Sequence, residues 1–188
     1  MLFVIMDPPG IIPIFMALTK GMTEKERKKE LNYAVLVATI LLLLFAFLGK
    51  MILSVLGITP NSFMIAGGIL LLLVSFDLLR GEHRYGVSGE SRVGVGAVPI
   101  GTPLLAGPGA ITAVMVIIQS HELFITGASV VLFAIFSAIL ATRLLLGQSE
   151  RIYRIMGKVG SEVLSRVMGI IVAAIAVQFF ITGITGLF

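Results

Sequence analysis

Apolar residues fall in six long stretches, roughly 1–19, 31–56, 63–80, 95–119, 123–146 and 164–187, with short polar segments between them. A helix that crosses a bilayer needs about 20 mostly apolar residues, and these stretches meet or approach that length. The pattern predicts six transmembrane helices that fill most of the chain and leave no room for a soluble domain. Only Lys20–Glu30 and Gly81–Val93 are substantially polar connections. Thr23, with Glu26 three residues later, has the form of a capping box, so the second helix is expected to start near Glu24. Ser161, in Gly160-Ser161-Glu162, is expected to cap the last helix. Only Met1–Met6 precede Asp7-Pro8-Pro9-Gly10, whereas half a bilayer takes roughly ten helical residues. The natural chain is therefore expected to begin earlier, or the numbering starts inside the helix.

Composition agrees with the pattern. Of 188 residues, 57% are hydrophobic and 13% charged, against about 45–50% and about 25% in soluble domains. A soluble fold is excluded. The net charge of +4 sits in short clusters rather than on one face, so no nucleic-acid role follows. Lys20, Lys25, Arg27, Lys28 and Lys29 lie in the first connection, Arg80, Arg84 and Arg92 in the third, and Arg143, Arg151, Arg154, Lys158 and Arg166 around the fifth. Lys50 is the single exception. Basic residues stay on the cytoplasmic side, so connections one, three and five face the cytoplasm and both termini face outward, in a cell-membrane protein. No basic residue precedes Lys20, so the first stretch lacks the charged leader of a signal peptide and reads as a true span.

Three spans are an odd number, so a repeat of three within six must be inverted across the membrane. Pro9-Gly10 and Pro108-Gly109 recur 99 residues apart, and Ile65–Gly81 matches Val167–Gly183 at 102, pairing Gly67 with Gly169 and Gly81 with Gly183. The expected fold is an all-α membrane protein of two inverted three-helix repeats, residues 1–81 and 95–188, joined by a cytoplasmic linker at 82–94.

The first and fourth helices are expected to be discontinuous. Asp7, Pro8, Pro9, Gly10 and Pro13 interrupt one; Pro99, Pro103, Gly107, Pro108 and Gly109 interrupt the other. A proline inside a helix removes a donor and clashes with the preceding turn, at about 3 kcal/mol. In lipid the freed carbonyls need protein or water. Matched breaks in both halves point to a transport site near the midplane. Asp7-Pro8 and Gly107-Pro108 read as starts of new half-helices, because proline favours the first helical position behind an Asp or Gly cap. Two such starts present open amides and partial positive charge to an anion such as a carboxylate. Asp7 can accept from the Gly10 amide and cap its own half-helix. Gly107 has no side chain, which leaves the amides of Gly109, Ala110 and Ile111 open. Asp7 is the one ionisable group placed deep in a span, where such groups are costly and functional by default.

The segments DPPGIIPIFMALT (Asp7–Thr19), AGGILLLL (Ala66–Leu73), PLLAGPGAIT (Pro103–Thr112) and RVMGIIVAAIAVQFFITGI (Arg166–Ile184) resemble the MarC family of membrane proteins over essentially the whole chain. The resemblance implies a secondary transporter of small neutral amino acids such as glycine, alanine and serine, coupled to an ion gradient. The substrate-binding residues are then Asp7, Gly10, Gly107, Gly109, Ala110 and Thr112, with Asp7 also the candidate for a coupling proton or sodium ion. In the family that the chain resembles, some members carry Asn in place of Asp7 and many carry Asn at the position of Ile11.

The remaining polar residues have plainer expectations. Asp77 pairs with Arg80 one turn on. Thr102 and Thr112 are pocket candidates, Thr112 because it follows the AGPG break by one turn, while Gln178 is expected to bond another helix. His83 and His121 are far apart and solvated, so no metal site is expected, and the glycines of spans three and six serve close packing. With no Cys, thiol chemistry is excluded. A Walker sequence, an HExxH motif and a GxGD aspartate are all missing, so neither an enzyme, a bound cofactor nor an ATP-driven pump is expected. Besides membrane lipid and the amino acid, no partner is implied, and a homo-oligomer stays open. The alternative function is a channel or membrane scaffold without carrier activity.

Overall fold

The structure is a computed structural model that describes residues 1–80, 96–119 and 123–186. Every regular element among them is a helix. The first apolar stretch forms α1 (Leu2–Met6) and α2 (Pro8–Leu18). Next come α3 (Glu24–Val55) and α4 (Pro60–Arg80). A π-helical segment (Gly96–Leu105) leads into α5 (Pro108–Gln119), and α6 (Phe124–Gly147) and α7 (Ser149–Thr185) complete the chain. The linker 82–94, with Gly81, His83 and His121, lies outside the described residues.

Local chemistry accounts for several boundaries. Thr23 and Glu26 form the capping box: the Thr23 hydroxyl accepts from the Glu26 amide at 3.3 Å, and the Thr23 amide donates to Glu26 Oε2 at 2.7 Å. Asp7 sits in the left-handed region (φ 45°), which ends α1 and turns the chain into α2. The segment before α5 departs from an ordinary α-helix. The prolines at positions 99 and 103 have no amide to donate to a helical ladder. The turn widens accordingly, and the Ala106 amide reaches the Gly101 carbonyl five residues earlier at 3.0 Å. The expected cap at Ser161 is not a boundary. Helix α7 runs from Ser149 through position 161, and its break falls at Gly157, whose φ of 65° suits a residue without Cβ.

The interrupted helices occupy the middle. Phe15, Ile100, Leu105, Ala113 and Val114 are fully buried. The long helices bury one side and expose another that is equally apolar, with Leu36, Ile40, Phe47, Phe133, Phe136 and Ile170 on the outer surface. Water does not tolerate so continuous an apolar exterior, whereas lipid does. Among the described residues, four helical stretches are long and apolar enough to span a bilayer: Glu24–Val55, Pro60–Arg80, Ile125–Gly147 and Glu162–Thr185.

Helices α4 and α7 pack antiparallel along a seam of small residues. A Cβ on Gly68 would lie 2.8 Å from the Ala176 carbonyl oxygen, one on Gly169 would lie 3.2 Å from the Ser75 carbonyl, and one on Gly183 would lie 2.9 Å from the Asn61 carbonyl. The long helices α3 and α6 also run antiparallel, with Asn32 meeting Arg143 and Leu31 meeting Gly147. Burial recurs along the chain. Leu31, Val35, Ala38, Leu42 and Ala46 are buried, and so are Val131, Ile135, Ala138, Thr142 and Leu146, each 100 residues on. Met64, Leu71, Ser75 and Leu78 answer to Ser165, Val172, Ala176 and Phe179, each 101 on. These registers differ by one from the sequence pairings at 99 and 102. Helix starts at Pro8 and Pro108 align Gly10 with Ala110 instead of Gly109.

Candidate functional site

The two breaks meet. Asp7 and Gly10 from the first, and Gly107, Pro108 and Ala110 from the second, line one cavity of about 190 Å³. Ile14, Leu71, Val74, Leu104 and Val172 are among the apolar residues that make up the rest of the wall, so the polar groups are few and set in an apolar surround.

Each polar group follows from its local fold. Because Asp7 ends α1 in the left-handed conformation, its side chain turns over the start of α2, where Oδ1 accepts from the Gly10 amide at 3.1 Å. The carboxylate is buried, and a Cβ on Gly10 would overlap it. Gly10 is therefore required for the aspartate to close over its own helix. On the facing side Gly107 precedes α5, and its carbonyl accepts from the Ile111 amide at 3.0 Å. The amides in a first helical turn have no intrahelical acceptor. At α5 these belong to Gly109 and Ala110, and Gly107 has no side chain with which to cap them. One wall thus offers a carboxylate, the other the start of α5 at Gly107, Pro108 and Ala110.

Two expected site residues stand elsewhere. Gly109 is buried against α4, where a Cβ would press on the Leu71 side chain. It permits close approach between helices. Thr112 donates to the Pro108 carbonyl at 2.8 Å and lines a separate cavity of about 240 Å³ with Asn61, Met64 and Met115. Its hydroxyl also faces Gly67, where an added Cβ would come to 3.1 Å. Gln178 corrects a further expectation: its amide donates to Thr182 Oγ1 of its own helix at 3.2 Å, and among the described residues no bond from it to another helix is seen. Thr182 lies one turn on, near enough to satisfy an amide without leaving the helix.

Sequence reasoning missed two polar features. Glu30 is buried, and its Oε2 accepts from the Gly96 amide at 2.8 Å, fastening the π-helical segment to α3. Its signal was one acid at the end of a charged run, indistinguishable by pattern from solvated neighbours. The second is a polar cavity of about 180 Å³ at the end of the molecule where α3 begins and α6 gives way to α7, lined by Phe15, Glu24, Arg27, Lys28, Arg143 and Glu150 among others.

The fold and this site define a helical integral membrane protein in which two interrupted helices meet around a small, mostly apolar cavity. A family profile described as MarC family integral membrane protein matches residues 1–188, and the chain belongs to that family. It is 39% identical to the UPF0056 membrane protein MJ1677 of Methanocaldococcus jannaschii, over 98% of this chain and 93% of the relative. A UPF0056 membrane protein of Archaeoglobus fulgidus is 36% identical over 97% of this chain and 88% of its own. For the UPF0056 membrane protein YhcE of Escherichia coli the figures are 34%, 100% and 90%. No solved structure matches.

Proposed function

We propose that the protein is a secondary transporter of small neutral amino acids in the cell membrane, holding its substrate between the breaks of the first and fourth spans. The observation that carries this reading is the shared cavity, with the Asp7 carboxylate on one wall and the start of α5 on the other. A zwitterion leaving water must have both charges met, or desolvation costs several kcal/mol. The substrate carboxylate takes the Ala110 amide at the open end of α5, whose dipole favours an anion. The ammonium takes the Asp7 carboxylate, which is also the candidate for the coupling proton or sodium ion. The small volume and the wall of Ile, Leu and Val favour glycine, alanine and serine over bulky side chains.

The same proposal includes two inverted three-helix repeats. Its support is the recurrence of burial at 100 and 101 residues and the antiparallel pairing of α3 with α6 and of α4 with α7. Contacts between elements also come in matched sets: α2 touches α7 as α5 touches α4, and α1 touches α6 as the π-helical segment touches α3. An inverted repeat supplies two arrangements of near-equal energy, one open to each side. With the basic connections inside, both termini face outward.

Flux of radiolabelled alanine into proteoliposomes tests the carrier. Saturable uptake that responds to an imposed ion gradient supports it. Flux that does not saturate would mean a channel, and no flux a scaffold.

A further inference from the structure

The polar cavity beside α2 is built unlike the central one. Arg27, from α3, reaches across it to Glu150, at the start of α7, with Nη1 and Oε2 2.6 Å apart. Arg143, from α6, donates to Asn32 Oδ1 of α3 at 2.7 Å. Both contacts join the first half of the chain to the second. Arg27 Nε is buried with no hydrogen-bond partner among the described residues. A buried donor left without an acceptor is costly, so this one calls for an acceptor.

Three cations, Arg27, Lys28 and Arg143, and two anions, Glu24 and Glu150, line this space. A simple anion would meet both glutamates, and a simple cation would meet two arginines and a lysine. A molecule bearing both charges meets neither difficulty. The cavity also lies next to the central one: Ile14 lines the central cavity and Phe15, the next residue of α2, lines this one. Phe15 is fully buried.

We infer that this second cavity is an inner subsite for the same zwitterionic amino acid, shut in this structure by the Arg27–Glu150 bridge. The inference rests on the transport reading above. The substrate carboxylate takes the Arg27 fork through Nε and an Nη, the paired geometry that guanidinium and carboxylate share. Its ammonium takes Glu150. One bridge between the halves is thereby exchanged for two to the substrate, and neither charge is left without a partner. The exchange unlatches the two halves only when a molecule with both charges is present.

The chain has no Cys, so one introduced thiol reports alone. Gly147 lines the cavity, and a Cβ there makes only an ordinary 3.8 Å contact with Leu31. The full chain carrying Gly147→Cys, in phosphatidylcholine nanodiscs, is treated with a maleimide in the presence of glycine, acetate, methylamine or inorganic phosphate. Glycine is expected to slow the modification, and acetate, methylamine and phosphate at the same concentration are not. Adding Glu150→Gln, or Arg27→Lys, which keeps the charge but loses the fork, should raise the half-protecting glycine concentration about ten-fold, the effect of one charge-assisted hydrogen bond. Protection by phosphate as strong as that by glycine would overturn the inference in favour of an anion or lipid-headgroup site. So would unprotected labelling in a protein that binds radiolabelled glycine, and that result leaves the central site standing. Absence of any glycine binding overturns the transport reading as well.

Discussion

Asp7 Oδ1 accepts the Gly10 amide at 3.1 Å, and the same carboxylate lines the cavity where the two interrupted helices meet. One side chain therefore caps α2 and supplies the negative charge proposed to meet a substrate ammonium. Two substitutions part these duties. Asp7→Asn keeps a competent cap and should melt with the parent, while alanine binding falls about ten-fold with loss of the charge. Asp7→Ala should lose about 1 kcal/mol of stability in addition. Unfolding in detergent and equilibrium binding read both effects, and parental binding by Asp7→Asn would reduce Asp7 to a cap.

Gly109 is a packing position. A Cβ there meets the Leu71 side chain, which can shift, so Gly109→Ala should destabilise by about 1–2 kcal/mol, in the range for overpacking. Paired with Leu71→Ala, the cost should be less than the sum of the two single changes, because the second removes the obstacle of the first. Additive losses in melting experiments would mean that the two do not touch.

Gly68 faces backbone instead. A Cβ would lie 2.8 Å from the Ala176 carbonyl oxygen and 3.2 Å from the Phe180 nitrogen, and main chain cannot turn aside. Gly68→Ala should separate α4 from α7 and lower stability by about 1–3 kcal/mol. Gly147→Ala, whose Cβ would make only an ordinary contact with Leu31, should be neutral or stabilise by about 0.5–1 kcal/mol through helix propensity. Equal melting temperatures for the two variants would contradict the packed seam.

Legibility followed distance along the chain. The start of α3 and both helix breaks were readable because their causes are local: Thr23 and Glu26 are three residues apart, and Asp7-Pro8 and Gly107-Pro108 are adjacent pairs. Ser161 misled for the same reason, since it has the chemistry of a cap while Gly157, four residues earlier, takes the positive φ. Arg27 and Glu150 are 123 residues apart, and each lies among other charges. No spacing rule singles them out. Within the site, Asp7 stood out as an acid in an apolar stretch. Leu71 and Val172 could not, because any leucine or valine of their helices fits the same pattern.

Glu150 lies outside the apolar spans, and the hydrogen bond and charge of Arg27 hold its carboxyl below its ordinary value of 4.5, with Arg154 adding to the effect. A carboxylate whose pKa is lowered by folding contributes above its ordinary value and loses that contribution as pH falls through the lowered one. The bridge should therefore persist through neutral and mildly acidic pH and open only below 4.5. Carboxyl NMR of labelled Glu150 should show a midpoint under that value in the parent and a rise toward it in Arg27→Gln. Equal midpoints would mean that Arg27 does not hold Glu150 in the membrane-embedded protein.

Ala110 is buried at the start of α5, and its methyl lies at the cavity wall beside Gly107. Leucine there would put three more carbons into a space of about 190 Å³ without touching the Asp7 cap. Equilibrium binding of radiolabelled alanine to parent and Ala110→Leu proteins of equal melting temperature tests where the substrate sits. Saturable binding by the parent that is lost in Ala110→Leu is the expected result. Binding of unchanged affinity in Ala110→Leu would contradict a site between the two breaks.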